Sequence, residues 1–156
     1  MEWYNGKKVF ITGGSSGIGK ATAEHLVRWG ADVCIASQGI ERLNEAAEEI
    51  RGHAVRPGQK ILAMPLDVTY PQKCHIVAQK AVRELGGVNV LINDAGASWH
   101  GENSSSSRAS CPDSPPLNRY APFLLRGILD RELRNYQKKA FGSEETVPEL
   151  KRGFTV

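Results

Sequence analysis

Several features that mark membrane, secreted or metal-binding proteins are scarce in this sequence. The three cysteines, Cys34, Cys74 and Cys111, are far apart and no Cys-x-x-Cys occurs, which argues against a disulfide framework or a zinc site. No apolar run approaches the roughly 18 residues that span a bilayer. The N-terminus lacks the apolar core of a signal peptide. We therefore expect no metal site, no transmembrane segment and a cytoplasmic protein.

Clustered positive charge is missing as well. The net charge is only +3, and the 20 Lys and Arg residues are scattered along the chain. This pattern argues against a nucleic-acid partner. The 156 residues, 40% of them hydrophobic, suit one ordinary soluble domain with a buried core.

Strand and helix patterns alternate up to residue 97. The predicted strands are KVFIT, ADVCIAS, KILAMPLDV and VNVLINDAG, and the predicted helices are GIGKATAEHLVRWG, IERLNEAAEEIRGHA and YPQKCHIVAQKAVRELGG. Apolar strands without strict alternation are typical of strands buried on both faces. Alternating strands and helices predict an α/β fold, with a parallel sheet and helices on both faces. The predicted core stripes are Ile18, Ala21, Leu26 and Trp29 in the first helix, and Leu43, Ala46, Ala47 and Ile50 in the second.

The pattern changes after residue 97. GENSSSSRASCPDSPP has almost nothing to bury, which indicates a linker or disorder. YAPFLLRGILDRELRNYQKKAFG has leucines at i+4 spacing, Leu125, Leu129 and Leu133, and predicts a helix. We therefore divide the chain into a nucleotide-binding domain at 1–97, a flexible Ser/Pro-rich segment at 98–118, and a helix with a polar tail at 119–156.

The strongest candidate site is TGGSSGIG, which lies between the first predicted strand and the first helix. A helix N-terminus presents unpaired N–H groups and partial positive charge, which suit a pyrophosphate. Gly13 permits a sharp exit from the strand, Gly17 lets the backbone approach a phosphate, and Gly19 allows close packing. Further hydroxyl donors are Ser15 and Ser16. The alternative is a turn that binds nothing, but the flanking strand and helix favour a dinucleotide.

Three motifs in order resemble those of the short-chain dehydrogenase/reductase family. The Thr-Gly-x-x-x-Gly-x-Gly spacing is that of the family's cofactor loop, and LDV ends the third strand where the family has an Asp against adenine. NDAG ends the fourth strand where the family has Asn-Asn-Ala-Gly. The resemblance covers residues 7–97 and implies a Rossmann-type fold. It implies as cofactor-binding residues Gly13, Ser15, Ser16, Gly17, Ile18, Gly19, Ser37, Gln38, Asp67, Val68, Asn93, Ala95 and Gly96.

Two acidic residues in these motifs have a second interpretation or depart from the family. Asp67 has an alternative role as an N-cap or turn residue before VTYPQK. Asp94 stands where the family has Asn. A carboxylate costs more to desolvate than an amide and cannot donate a hydrogen bond when ionised. We therefore expect a weakened hydrogen-bond network around Asp94.

The end of the second strand bears on the choice of cofactor. An acid there would bind the ribose of NAD and repel the 2′-phosphate of NADP, but the sequence is ASQG. Gln38 donates a hydrogen bond and brings no charge. We therefore expect NADP(H) in preference to NAD(H). The alternative is that Ser37 and Gln38 merely begin a loop.

Within the family, the chain resembles 3-ketodihydrosphingosine reductases in VFITGGSSGIGKATAEHL and RPGQKILAMPLDVT. This resemblance implies reduction of a long-chain sphingoid ketone with NADPH. It also implies an association with the cytosolic face of the endoplasmic reticulum. Related ketone and sugar reductases share the glycine loop, so the substrate stays open.

The residues that the resemblance implies for catalysis are missing downstream. The family has a Ser and a Tyr-x-x-x-Lys there, with the Tyr passing a proton to the carbonyl, but no Tyr after Asn93 has a Lys four residues on. Tyr4 and Lys8 have this spacing but precede the first strand, so we interpret the pair as chance. Asn118 lies near the family's further catalytic Asn, but its surroundings, SPPLNRYAP, do not resemble the helix to which that Asn belongs. We predict no catalytic residue in this chain.

Three hypotheses remain open. The first is a reductase that moves hydride between NADP(H) and a carbonyl or alcohol. The second is a half-domain that holds the cofactor and catalyses nothing, and the third is a fragment or a chain read out of frame. The missing proton donor favours the second or third. With about four of the family's strands present, we expect the helix near 123–140 to cover the fourth strand.

Overall fold

The computed structural model describes residues 2–96 and 116–141. A short 3-10 turn, Glu2–Tyr4, precedes four strands and four helices. These are β1 (Lys8–Thr12), α1 (Gly17–Arg28), β2 (Asp32–Ser37), α2 (Ile40–Arg51), β3 (Ile61–Pro65), α3 (Pro71–Leu85), β4 (Val90–Asn93) and α4 (Pro116–Phe141). The predicted Ser/Pro-rich segment, apart from residues 116–118 in α4, and the polar tail lie outside the described residues.

The four strands form one parallel sheet in the order β3-β2-β1-β4. Val9 is paired with Val33 of β2 on one side and with Val90 of β4 on the other. The chain winds outward from β1 to β3 and then returns to the far side of β1. The sheet therefore has a switch point between β1 and β4, where ligands of open α/β sheets bind at the carboxyl ends of the strands.

Helices cover both faces of the sheet, as the sequence predicts. Successive residues of a strand point to opposite faces, so Val9 and Ile11 of β1 pack with α1 and α2. Phe10, between them, packs with α3 and α4. This arrangement confirms the Rossmann-type fold and explains why the strands lack a polar side.

The helix stripes agree only in part with the prediction. The four predicted positions of α2 are all buried. In α1, Leu26 is buried as predicted, but Ile18 is 76% exposed, and the buried face instead includes Ala23 and Val27. The predictions for Ile18 and for Ala21, which is also exposed, were wrong because both residues lie on the opposite side of α1 from its buried residues.

The last helix, α4, begins earlier than the leucine pattern indicates. It starts at Pro116, a residue type favoured in the first helical turn because it has no N–H to leave unpaired. Asn118 is therefore helical, and its placement in the flexible segment at 98–118 was wrong. Leu125 and Leu129 are buried beside α3, and the helix contacts β4. None of the described helices is both long and apolar enough to cross a bilayer.

Candidate dinucleotide site

The sheet brings the ends of all four sequence motifs to one edge. Thr12, the last residue of β1, is paired with Ala36 in β2 and with Asn93 in β4. Ser37 is paired with Pro65 at the end of β3. The glycine loop, the second strand's end, the LDV motif and NDAG therefore share the carboxyl edge, although Thr12 and Ala95 lie 83 residues apart along the chain.

The turn after β1 can be built only from glycine. Gly13 has φ +76°, and a Cβ at this residue would lie 2.7 Å from the backbone nitrogen of Ala95. Its own N–H donates to the Ala36 carbonyl at 2.8 Å, which holds the turn against β2. The sequence interpretation missed Gly14, where a Cβ would lie 2.6 Å from Ile35 Cγ2. The two adjacent glycines in the sequence, Gly13 and Gly14, are the feature that could have revealed this requirement.

The start of α1 is open to a ligand. Gly17 has φ +54°, and a Cβ there would meet no atom within 4 Å. Ser16 occupies the N-cap position without making a side-chain capping hydrogen bond, and the first turn contains no acidic residue. The unpaired N–H groups and partial positive charge of this turn are therefore available to an anion.

Serine hydroxyls join the glycine loop to the end of β2. Ser15 Oγ donates to Ser37 Oγ at 2.8 Å. The two serines and Gln38 line a groove of about 730 Å³, which the first turn of α2 completes. Arg42, Glu41 and Glu45 line the same groove. The sequence interpretation missed Arg42; its place four residues after Gln38, at the start of a helix, was the available signal.

Asp67 forms a turn at the end of β3. Its Oδ1 accepts hydrogen bonds from the Thr69 backbone N–H at 2.9 Å and the Thr69 hydroxyl at 2.5 Å. The hydroxyl, the backbone N–H and a hydrogen bond from Gln38 lower the pKa of Asp67. The alternative turn role is thus present in the structure, and the adenine role stays a prediction. Gln38 links this turn to the groove beside β2.

Val68, predicted beside the cofactor, has its side chain in the core. Its carbonyl oxygen lies 3.6 Å from the Cys74 sulfur, and the Cys74 thiol donates this weak hydrogen bond. Any contact that Val68 makes with a cofactor must therefore come from its backbone.

The turn after β4 packs against the end of β1. The backbone nitrogen of Asp94 donates to the Thr12 carbonyl at 3.1 Å, and that of Ala95 donates to the Thr12 hydroxyl at 3.3 Å. Gly96 follows as an exposed residue. Asn93 Oδ1 is buried and has no hydrogen-bond donor among the described residues. A buried amide oxygen without a donor is costly, so this atom marks a place where a ligand would satisfy the site.

The Tyr4 and Lys8 pair lies at the opposite edge of the sheet. Tyr4 stacks on Trp29 with ring centroids 5.3 Å apart, just after the C-terminal end of α1. Lys8 Nζ donates to the Gly86 carbonyl at 2.5 Å, next to the end of α3. Both residues serve packing at the amino edge of the strands, which supports the interpretation that their spacing is chance.

The carboxyl edge fits a dinucleotide in three ways. The opening turn of α1 offers donors and open space to a pyrophosphate. The groove between Ser15 and Arg42 offers hydroxyl and cationic groups beside it. The unsatisfied Asn93 oxygen lies across β1 from this groove.

Solved structures that resemble this fold include two with nicotinamide dinucleotides. An NADH-dependent reductase complexed with NAD superposes with a TM-score of 0.71 and 26% identity, over 88% of this chain and 56% of that one. A short chain dehydrogenase from Burkholderia cenocepacia in complex with NADP has a TM-score of 0.70 and 27% identity, over 83% and 52% of the two chains.

Curated relatives agree with the structures on the family. The 3-ketodihydrosphingosine reductase of Bos taurus is 36% identical over 99 residues, which are 62% of this chain and 30% of that protein. Differently named proteins match at comparable identity, among them general stress protein 39 of Bacillus subtilis at 38% and retinol dehydrogenase 13 of Mus musculus at 36%. The chain aligns with less than a third of the length of these relatives. A family model described as short chain dehydrogenase matches residues 7–138, from β1 into α4. The chain therefore belongs to the short chain dehydrogenase family.

Proposed function

We propose that this chain binds a nicotinamide dinucleotide at the carboxyl edge of its sheet, NADP(H) in preference to NAD(H). The observation that carries the proposal is the open first turn of α1 at Gly17, next to the groove of Ser15, Ser37 and Gln38. A bound nicotinamide dinucleotide supplies or accepts hydride. The residues of this chain bind the cofactor and orient it.

The implied cofactor-binding residues divide into three groups along this edge. Gly13, Gly17 and Gly19 shape the loop. Ser15 and Ser16 come just before α1, and Ile18 lies in its first turn. Ser37, Gln38, Asp67 and Val68 are proposed on the adenosine side, and Asn93, Ala95 and Gly96 on the nicotinamide side. The role of each residue is a proposal, and measuring the cofactor affinity of a point variant at that position tests it.

The preference for NADP(H) rests on charge at the end of β2. No carboxylate ends this strand, and Arg42 lines the same groove as Ser37 and Gln38. A guanidinium binds phosphate through charge-assisted hydrogen bonds. Glu41 and Glu45 oppose this attraction from the same helix, so we expect a modest preference.

A titration of both cofactors tests the preference. We expect Arg42→Gln to weaken NADPH binding about three- to tenfold, the usual value of one exposed charged contact, and to leave NADH binding nearly unchanged. The matched control is Arg126→Gln, which removes the same charge from an exposed position on α4. Equal effects on both cofactors would refute the role of Arg42. No binding of either cofactor at millimolar concentration would refute the proposed function.

We propose, as the reaction of the whole protein, hydride transfer from NADPH to a carbonyl or from an alcohol to NADP, with a long-chain sphingoid ketone as substrate. The 36% identity to a 3-ketodihydrosphingosine reductase supports this substrate. We place the protein in the cytoplasm, with the cytosolic face of the endoplasmic reticulum as the site of such a lipid substrate. Oxidation of NADPH with 3-ketosphinganine, compared with a short ketone, tests the substrate.

The second candidate function is cofactor binding without turnover. It is favoured by the sequence after Asn93, in which no Tyr has a Lys four residues on. The ketone assay separates the two candidates. Turnover above about 1 per second, the lower end of the usual enzyme range, would exclude the inactive binding module.

A further inference from the structure

We infer that the Asp94 carboxylate weakens the binding of a pyrophosphate to the glycine loop and so lowers the affinity of this chain for a dinucleotide. The inference rests on the proposed function, because it concerns the same site. It assigns to Asp94 a role in cofactor affinity.

The structure places the Asp94 side chain against the first turn of α1. A Cβ built on Gly19 would lie 2.7 Å from Asp94 Oδ2 and 2.5 Å from the Gly13 carbonyl oxygen. Gly19 is the third residue of the helix, so a carboxylate oxygen and a carbonyl oxygen flank its first turn. A backbone hydrogen bond positions Asp94, because its N–H donates to the Thr12 carbonyl at 3.1 Å.

The position of Asp94 matters because of the charges at the start of α1. The N-terminus of α1 carries partial positive charge, and its own first turn contains no acidic residue. Asp94, in the turn after β4, therefore brings the negative charge that this helix start otherwise lacks. The same helix start is the part of the site that would attract the two negative charges of a pyrophosphate. Asp94 and the pyrophosphate repel each other, so the helix is stabilised at the expense of anion binding.

An amide at this position would have the opposite effect. Asn has the same shape as Asp and carries no charge, and its NH₂ group can donate to nearby oxygens. The Asp94→Asn variant therefore removes the repulsion without opening a cavity. One unit charge near a partly exposed anion site changes affinity on the order of tenfold at low ionic strength, and less when salt screens it.

The test is a binding titration with NADPH, ADP and adenosine for the full chain and three variants. ADP keeps the pyrophosphate and adenosine lacks it. We expect Asp94→Asn to bind NADPH and ADP about tenfold more tightly at 50 mM salt, with a smaller gain at 500 mM. Adenosine binding should not change. Asp94→Ala, which removes the charge and adds no donor, should show most of the same gain.

The matched control is Glu84→Gln on α3. This helix ends where Gly86 meets Lys8 at the amino edge of the sheet, so the control removes one negative charge far from the loop. Unchanged NADPH and ADP affinity in Asp94→Asn would overturn the inference, as would an equal gain in Glu84→Gln. A gain in Asp94→Asn that is absent in Asp94→Ala would also overturn it, because hydrogen bonding and not charge would then be responsible. Failure of all four proteins to bind NADPH would instead refute the proposed function.

Discussion

At the scale of single residues, short polar contacts hold the carboxyl edge in shape. The Ser15 hydroxyl donates a hydrogen bond to Ser37. The oxygens of Thr12 accept hydrogen bonds from the two backbone N–H groups that follow β4. The Thr69 N–H donates to Asp67 and closes that turn. None of these contacts belongs to a helix or a strand ladder. They set the positions of the loops that would surround a dinucleotide.

The hydrogen bonds of the Asp67 turn lead to a prediction about how the stability of the fold depends on pH. Its hydrogen bonds to Thr69 lower the pKa of Asp67 in the folded state, so their stabilisation is present above the unfolded pKa, about 3.9. It is lost as pH falls through the folded-state pKa. We expect Thr69→Val to raise the pKa of Asp67 and to destabilise the fold at pH 7, with the difference vanishing once Asp67 is protonated in both proteins.

NMR titration of the Asp67 carboxyl and denaturant unfolding from pH 2 to 7 measure the two effects. Thr69→Ser is the control, since it keeps the hydroxyl donor and should keep the lowered pKa. An Asp67 pKa that is the same in Thr69→Val and the wild type would contradict the assigned cause.

Burial also determines the chemistry of a thiol at this scale. Cys34 lies in the middle of β2 and is fully buried, which raises the pKa of its thiol to about 12. Thiols react as thiolates, so Cys34 is inert in the folded chain and fills the core as a small apolar side chain.

At the scale of elements, α4 contributes a large part of one core layer. Leu125 and Leu129 are fully buried among residues of α3 and the sheet, and Leu133 packs beside them. The helix lies on the face of the sheet next to α3 and contacts β4. The i+4 leucine spacing was sufficient to predict the helix, but not which layer it joins.

We expect Leu129→Ala to lower the free energy of unfolding by about 2 to 5 kcal/mol, the usual cost of a buried leucine side chain and its cavity. Arg126→Ala on the same helix is the control. Arg126 is exposed, and its loss should cost no more than about 0.5 kcal/mol. Urea unfolding followed by circular dichroism measures both, and equal stabilities would show that α4 is detached from the core.

At the scale of the whole molecule, stability is concentrated in the middle of the sheet. Strand β1 has hydrogen-bonded neighbours on both sides, and four of its five residues are buried. Strand β4 lies at the edge of the described sheet, and all four of its residues are partly exposed. Local opening is cheapest where burial is least.

Hydrogen exchange should therefore differ along the sheet. We expect the amides of β1 and β2 to exchange slowest, through global unfolding, and those of β4 to exchange faster. Mass spectrometry of peptides covering the three strands measures this order. Raising the urea concentration serves as the control, because all strands should then converge on the global rate. Protection of β4 equal to that of β1 would show that its edge is as stable as the centre.

Most of the fold was predictable from local patterns. The alternation of apolar runs with amphipathic segments predicted the parallel sheet, and the α2 stripe was identified position by position. The prediction for Ile18 was wrong because α1 buries two small residues, Gly19 and Ala23, on its inner side, whereas hydrophobicity alone favours the larger Ile18. Asn118 was misjudged because a polar context hid a helix start that Pro116 favours.

The periods of the strands and helices, the glycine loop and the order of the motifs were all evident from the sequence. Each of these is a property of neighbouring residues. Which distant residues meet became clear only from the packed fold. It placed Arg42 in the groove with Ser15, joined Ser15 to Ser37, and set Asp94 against Gly19. The physical reason is that such contacts depend on strand order and helix packing, which are set by the burial of the whole core.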